Sequence, residues 1–582
     1  MTTGNQQSAT GNRQHNLMKQ LKRTRAQESR EAIQRLYIAM RHLFIRGSYK
    51  PLGVSGEAMI EALQALQPEI YGSINDPEQV ELDGLLYIFE RLPVGIEECR
   101  YVRLISREGF EDSSFAPIIP AKRRRNCYRI DEEQMFVEMT RGRSDIYDIL
   151  THLTFMYIEA EKIRKNSLNH RGEKKREWLR LEEIVLKEEE KEEGFNKDIA
   201  YTYLSTLLGR TYNDTVDACE RFAKSPKVNS IFHITYWLGQ LSIQEEYEKN
   251  DREISFSSAL REKIGHHIYG ELWAQHIKQF LQEKSLLSRP LHIISANLHS
   301  VMNSIYGKGA LKGHKKIGNS LESLARELSG DSGALFREKI KQYALKNGMY
   351  QLDDTSGTNI SVQIFDTQKI KTTTLPSEIQ LDEKYIKKQK PVIIVMDYAF
   401  GEQAYETMDE LLKPYDFDNQ KICLDIVSIS IMGKAGILKG GKGDIMIPNA
   451  HVFEGIADNY PFENDFSVAE FKGNGLQVVG GPMITVLGTS LQNRDVFQYF
   501  LMSSWQAIGL EMEGANYQKA IQAASKIRNS ISPDVVLRYA YYASDNPLET
   551  GKTLASGSLG LDGVKPTYLI TQKILNRILK QK

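Results

Sequence analysis

Three short segments of this 582-residue chain combine residue types that can do chemistry. Gly433-Lys434-Ala435-Gly436 follows an apolar run. Glycines after a buried strand let the backbone approach a ligand and offer amide donors to anionic or hydroxyl oxygens. Glu511-Met512-Glu513, ahead of Gly514-Ala515, stands where a short strand should give way to a helix. Strand alternation puts the two glutamates on one face and Met512 on the other, unless the turn intervenes. Carboxylates at a helix N-terminus are also ordinary surface features. Ser544-Asp545-Asn546-Pro547 ends the apolar run 535–543. An acid leaving a buried strand is placed for proton transfer, although the same residues are common turn and capping material.

These segments need elements to hold them. After Pro290 the chain alternates short apolar runs with helical patterns. Strands are expected at 291–296, 361–365, 392–396, 422–431, 444–448, 483–488 and 535–543, and helices at 402–413, 493–506, 514–529 and 566–580. That alternation predicts an α/β domain over 286–582, a mixed central sheet flanked by helices, with ligands where strands end. Residues 28–285 read as a mainly α-helical region, with apolar residues three and four apart as in Ile33, Leu36, Tyr37 and Met40. Tyr101–Ile105 is a possible strand in that half. Residues 1–27 are polar and read as a flexible tail. Residues from about 285 onward are expected to fold alone.

Composition narrows the function classes. Seventy-five Lys and Arg balance seventy-five Asp and Glu, which disfavours a generally basic nucleic-acid binder. Four scattered cysteines include no C-x-x-C pair, and no uninterrupted apolar run reaches membrane-spanning length. A cytoplasmic protein without a membrane partner is the expectation. His152, Glu159 and Glu161 do not share one helix face, so no metal site is expected. The run 122–126, KRRRN, can meet phosphate or an acidic surface, although a solvated loop is the commoner role. Two near matches to a phosphate-binding P-loop fail: Gly443 replaces Ser/Thr after Gly441-Lys442, and Asn546 replaces the first glycine ahead of Gly551-Lys552-Thr553.

In their order along the chain, the three segments resemble the purine nucleoside phosphorylase and nucleosidase superfamily, which includes methylthioadenosine nucleosidase and AMP nucleosidase. The resemblance covers roughly 390–582 and extends back to 290 if 291–296 is the first strand, with Ser544-Asp545-Asn546-Pro547-Leu548 most similar to the AMP nucleosidase branch. It implies cleavage of an N-glycosidic bond in a purine nucleoside or nucleotide by a homo-oligomeric enzyme without metal or organic cofactor. It further implies that Asp545 protonates the leaving base and Glu513 binds the ribose hydroxyls. Met512 would pack on the sugar, and Glu511, Ser544 and the Gly433, Lys434, Ala435, Gly436 loop would complete the pocket. The chain departs from the pattern twice. The stretch after the first strand lacks the glutamate that orients water in nucleosidases, leaving Asn297 or His299 as substitutes. Ile431 stands where many bacterial phosphorylases carry a phosphate-binding arginine. The resemblance thus favours hydrolysis; phosphorolysis, and a non-catalytic nucleotide sensor signalling through the helical half, are the alternatives.

Overall fold

The structure, a computed structural model, describes residues 23–313, 320–330, 333–550 and 559–580. Most of the segment read as a tail, and Gly551-Lys552-Thr553, lie outside the described residues. The first helix, Arg25–Arg46, starts inside that segment because Thr24 and Gln27 form a capping box. Gly47, at φ 95°, closes the helix in the left-handed conformation that glycine tolerates.

Helices dominate residues 25–283, but they enclose a five-stranded sheet. Its spatial order is Ser48–Tyr49, Glu253–Phe256, Tyr101–Ile105, Gln134–Glu138, Cys127–Arg129. Tyr101–Ile105 is thus an interior strand of a mixed sheet rather than an isolated extended piece. The helix Gly142–Ser167 is buried on almost all sides, which explains its broad apolar face: it runs through the centre of its layer.

The second sheet has ten strands. Nine lie in the order Asn459–Pro461, Ile445–Phe453, Val478–Thr485, Gly509–Glu511, Ile426–Ile437, Leu291–Ser295, Val392–Met396, Val362–Asp366, Met349–Leu352. The tenth, Val536–Asp545, runs parallel to 426–437 and pairs antiparallel with 445–453. The path 445–453, 478–485, 509–511, 426–437, 536–545 therefore returns to its starting strand, closing part of the sheet into a ring. Each expected strand has a counterpart, because β-branched runs such as 392–396, buried on both faces, have no competing helical reading. Helices Gln403–Leu411, Arg494–Met502, Gly514–Gln522 and Val564–Leu579 flank the sheet.

The two halves share a core. One continuous apolar cluster contains Ile33, Leu36, Tyr71 and Phe155 from the first half and Val486, Val496, Phe497 and Phe500 from the second. Polar ties cross the same boundary: Asn493 Nδ2 donates to the Leu66 carbonyl at 2.8 Å, and Arg30 Nε donates to the Glu454 carbonyl at 3.0 Å. The second half has two apolar clusters largely its own, but the cluster that fills the first half reaches across the break near residue 285, and that shared part bears on the expectation that the C-terminal part folds alone.

Candidate active site

A cavity of about 440 Å³ opens where the ring of strands meets the first half of the chain. Its walls include Gly433, Lys434, Ala435, Gly436, Glu511, Met512, Glu513 and Ser544, so one space gathers all three segments that the sequence singled out. Ser295, Tyr398, Phe400, Tyr517, Tyr541 and Tyr542 add hydroxyl and aromatic surface. The volume falls within the range of about 300–1,000 Å³ usual for small-molecule sites.

Gly433 to Gly436 is not a loop, as the sequence suggested. These residues belong to the 426–437 strand and pair with Tyr541, Tyr542, Ala543 and Asp545, with a register shift between Ala435 and Gly436. Glycine is a weak strand former, but here the 536–545 strand supplies the ladder throughout and Gly436 pairs with Leu510 as well. A Cβ on Gly433 would meet only the Tyr398 ring at 3.5 Å and Tyr541 at 4.0 Å, so tight packing is not what requires glycine there. Lys434 is exposed at the cavity wall.

The two glutamates divide their roles at the strand-to-helix turn. Glu511 is buried, and its Oε2 accepts the amides of Glu513, at 2.6 Å, and of Gly514. Its Oε1 accepts the Thr485 hydroxyl at 2.5 Å. Burial, then the nearby Glu513 charge, pushes its carboxyl up to about 8. Glu511 thereby caps the first turn of the 514–522 helix and has little capacity left for a ligand. Glu513 is partly exposed to the cavity and accepts the Gly401 amide at 2.9 Å. Burial raises it to about 7 against the lowering effects of backbone donors and of Arg141. The turn therefore breaks the simple alternation: Glu513 and Met512 both line the cavity.

Asp545 stands beside the cavity lining rather than in it; the lining residue is Ser544. Asp545 Oδ1 lies 2.5 Å from the Ser544 hydroxyl, which also lies 3.1 Å from the Ala435 carbonyl. One hydroxyl has one proton and cannot serve both acceptors. The shorter contact is the one the hydroxyl serves: Ser544 Oγ donates to Asp545 Oδ1. Burial raises the Asp545 carboxyl, opposed by the Ser544 contact and by the Lys434 charge. Its Oδ2 is buried without a hydrogen-bond partner.

The proposed water-orienting residues lie elsewhere. Asn297 Oδ1 accepts the Ser300 amide at 2.9 Å as cap of the Leu298–Ala310 helix, and His299 is exposed on the first turn of that helix. Neither lines the cavity. Asn297 is nevertheless next to the Tyr398 hydroxyl, which does. Sequence reading missed Arg91 and left Lys122 and Arg123 among solvated residues; all three line the cavity. The only local signal was the cationic run 122–126, since nothing nearby in sequence places it against residues 431–513. His152 and Glu159 are buried apart from the cavity, His152 beside Asp148 and Glu159 paired with Lys162.

The chain belongs to a family of unknown function (DUF6909), whose model matches residues 57–328 and 328–580. No curated protein matches it. Among solved structures it is similar to the 5'-methylthioadenosine/S-adenosyl homocysteine nucleosidase of Campylobacter jejuni, with 10% identity, TM-score 0.30, and coverage of 50% of this chain and 100% of that one. Futalosine hydrolase of Helicobacter pylori aligns at 11% identity and TM-score 0.28, covering 49% of this chain and 98% of that one. Uridine phosphorylase from Schistosoma mansoni aligns at 12% identity and TM-score 0.31, covering 52% and 91%. Among the described residues, no helix is long and apolar enough to cross a membrane.

Proposed function

We propose that the protein hydrolyses the N-glycosidic bond of a purine nucleoside or nucleotide. The observation that carries this reading is the placement, around one cavity, of Glu513, a carboxyl partly exposed to it, and the Ser544–Asp545 pair, whose buried acid is raised above the ordinary aspartate range. Glycosidic cleavage develops positive charge on the sugar and negative charge on the departing base. Glu513 stabilises the first and binds the ribose hydroxyls, with Met512 against the sugar. Asp545 supplies a proton to the base, directly or through the Ser544 hydroxyl, a role that requires the raised carboxyl its burial provides. The aromatic walls offer stacking surface for a purine.

Water is the preferred acceptor because Ile431, which lines the cavity, offers no donor to hold phosphate at the anomeric carbon. With Asn297 used as a helix cap and His299 outside the cavity, water is oriented instead by hydroxyls of the lining such as Ser295 or Tyr398. Incubating the purified protein with a panel of purine nucleosides and nucleotides, and assaying free base, tests the reading. Release of base from at least one is expected; none from any would favour the non-catalytic sensor.

A further inference from the structure

The wall of the cavity supplied by the first half of the chain is cationic. Arg91, Lys122 and Arg123 line it together with Glu513 and Met512, although they lie hundreds of residues away in sequence. Arg91 is only 3% exposed, stacks on the Tyr87 ring with its guanidinium carbon 3.5 Å from the centroid, and donates through Nη1 to the Tyr87 carbonyl at 2.7 Å. Its Nε has no hydrogen-bond partner. The Tyr87 hydroxyl lies 3.1 Å from that of Thr489, another lining residue, which ties this wall to the strand ring.

Carboxylates at this wall are outnumbered. Asp148 takes Arg123 at 2.9 and 2.8 Å and also Arg125 at 2.5 Å. Asp145 takes Arg125 at 2.8 Å, and Glu90 takes Lys122 at 2.5 Å while standing 3.8 Å from Arg91. Arg141, with its guanidinium 4.8 Å from the Phe400 centroid, adds a fifth cation to these three carboxylates, and Glu513 is a further carboxylate that feels its charge. Burial depresses both Arg91 and Arg141, and their arginine neighbours depress them further. Burying excess positive charge is costly unless an anion completes it.

We propose that Arg91, Lys122 and Arg123 form a subsite for the phosphate ester of the substrate, so that the molecule cleaved is a phosphorylated nucleoside rather than a free one. Arg91 offers an unpartnered Nε to a phosphate oxygen, Arg123, with Nε and Nη2 on Asp148 and Nη1 on the Lys122 carbonyl, contributes mainly charge, and Lys122 adds a point charge. Exposed Lys434 on the strand side supplies a further cation to the same cavity. The inference rests on the glycosidase reading for the identity of the rest of the ligand. The N-terminal half then acts as the specificity element of a composite site.

The test measures affinity by calorimetry for adenosine, AMP and ribose 5-phosphate with the full chain and with Lys122→Gln and Arg91→Gln, and base release in parallel. AMP should bind about 10- to 100-fold more tightly than adenosine, the scale of one or two charge-assisted hydrogen bonds, and each variant should shrink that ratio. Lys122 is half exposed, so its variant keeps the test valid if Arg91→Gln fails to fold. Equal affinities, or a ratio unmoved by Lys122→Gln and by any folded Arg91 variant, would overturn the subsite. So would adenosine cleavage whose rate saturates with inorganic phosphate and yields ribose 1-phosphate, since the cations would then serve a co-substrate. Cation-dependent binding of AMP and ribose 5-phosphate without base release would support the subsite while removing the glycosidase reading. Base release from adenosine and AMP alike would do the reverse.

Discussion

The Glu511 carboxylate accepts the backbone amide of Glu513 at 2.6 Å, so the first acid of the pair holds the second in place. Two residues that look equivalent in sequence therefore carry separable functions. Glu511→Gln should act on stability: an amide keeps one acceptor but cannot replace both oxygens at Thr485 and the helix amides. A loss of about 1–2 kcal/mol is expected, as for loss of a helix cap, and denaturant unfolding measures it. Glu513→Gln should leave stability nearly unchanged and weaken adenosine binding more than adenine binding in calorimetry. Equal losses for base and nucleoside would return Glu513 to a structural role.

Asp545→Asn should retain ligand affinity while turnover falls about 10²- to 10⁴-fold, the usual share of general acid catalysis. Single-turnover base release with saturating substrate is the measurement. Because burial raises the Asp545 carboxyl, activity that depends on its acid form should decline as pH rises, at a pH above the ordinary aspartate range. Turnover within a few fold of the parent would remove Asp545 from the mechanism.

Gly514 opens the helix after Glu513, and a Cβ there would lie 2.3 Å from the His451 ring and 2.8 Å from Glu511 Oε1. Both neighbours are buried, and His451 is packed against Phe462 and Tyr539. Gly514→Ala should therefore cost about 1–3 kcal/mol by overpacking. It should also displace Glu513, lowering nucleoside affinity alongside the melting temperature. A variant with unchanged stability would show that the ring can move aside.

Stability should fall as pH is raised from about 6.5 to 8. Glu406, Glu454 and Glu511 are buried, and burial raises each to about 8. Over this window the folded state keeps protons that the unfolded chain has already released, so raising pH favours unfolding. Each group contributes a slope of at most about 1.4 kcal/mol per pH unit. Buried His152, His292 and His451, pushed down to about 3, act in the opposite direction only below about 6.5, where the unfolded histidines protonate. Melting temperatures across the window should fall, and Glu454→Gln should flatten the slope. A rise would contradict the assignment.

A fragment beginning at residue 286 should be insoluble or melt well below the whole chain. Removing residues 1–285 would bare Val486, Val496, Phe497 and Phe500, which pack in one cluster with Ile33, Leu36 and Phe155. Expression and thermal unfolding of the fragment measure this directly. A soluble fragment with the melting temperature of the whole chain would mean that the shared cluster contributes little.

What could be read from the sequence follows the range of the interactions involved. Leu291–Ser295, Val392–Met396 and Val536–Asp545 declare themselves because β-branched and aromatic runs buried on both faces carry their own signal. Leu321–Leu328 and Ala334–Lys346 do not, being short helices with many charged residues. Gly433 to Gly436 reads as a loop because a strand's pairing partners, here more than a hundred residues away, are invisible locally. The same holds for the site: Glu513 and Met512 are adjacent in sequence, whereas Arg91 and Arg123 reach the cavity only through tertiary packing.

The closed path of strands has a consequence for how the molecule breathes. Gly436, Leu510 and Asp545 are pinned by backbone ladders within it: Gly436 pairs with both Leu510 and Asp545. Segments bonded on both sides open only with the global transition, whereas the 118–126 segment makes few backbone bonds to the body, at Cys127, Glu90 and Glu138, and is held instead by the side chains of Lys122, Arg123 and Arg125 on Glu90, Asp145 and Asp148. Amide exchange should then divide the cavity in two, with slow protons on the strand side and faster ones on the cationic side.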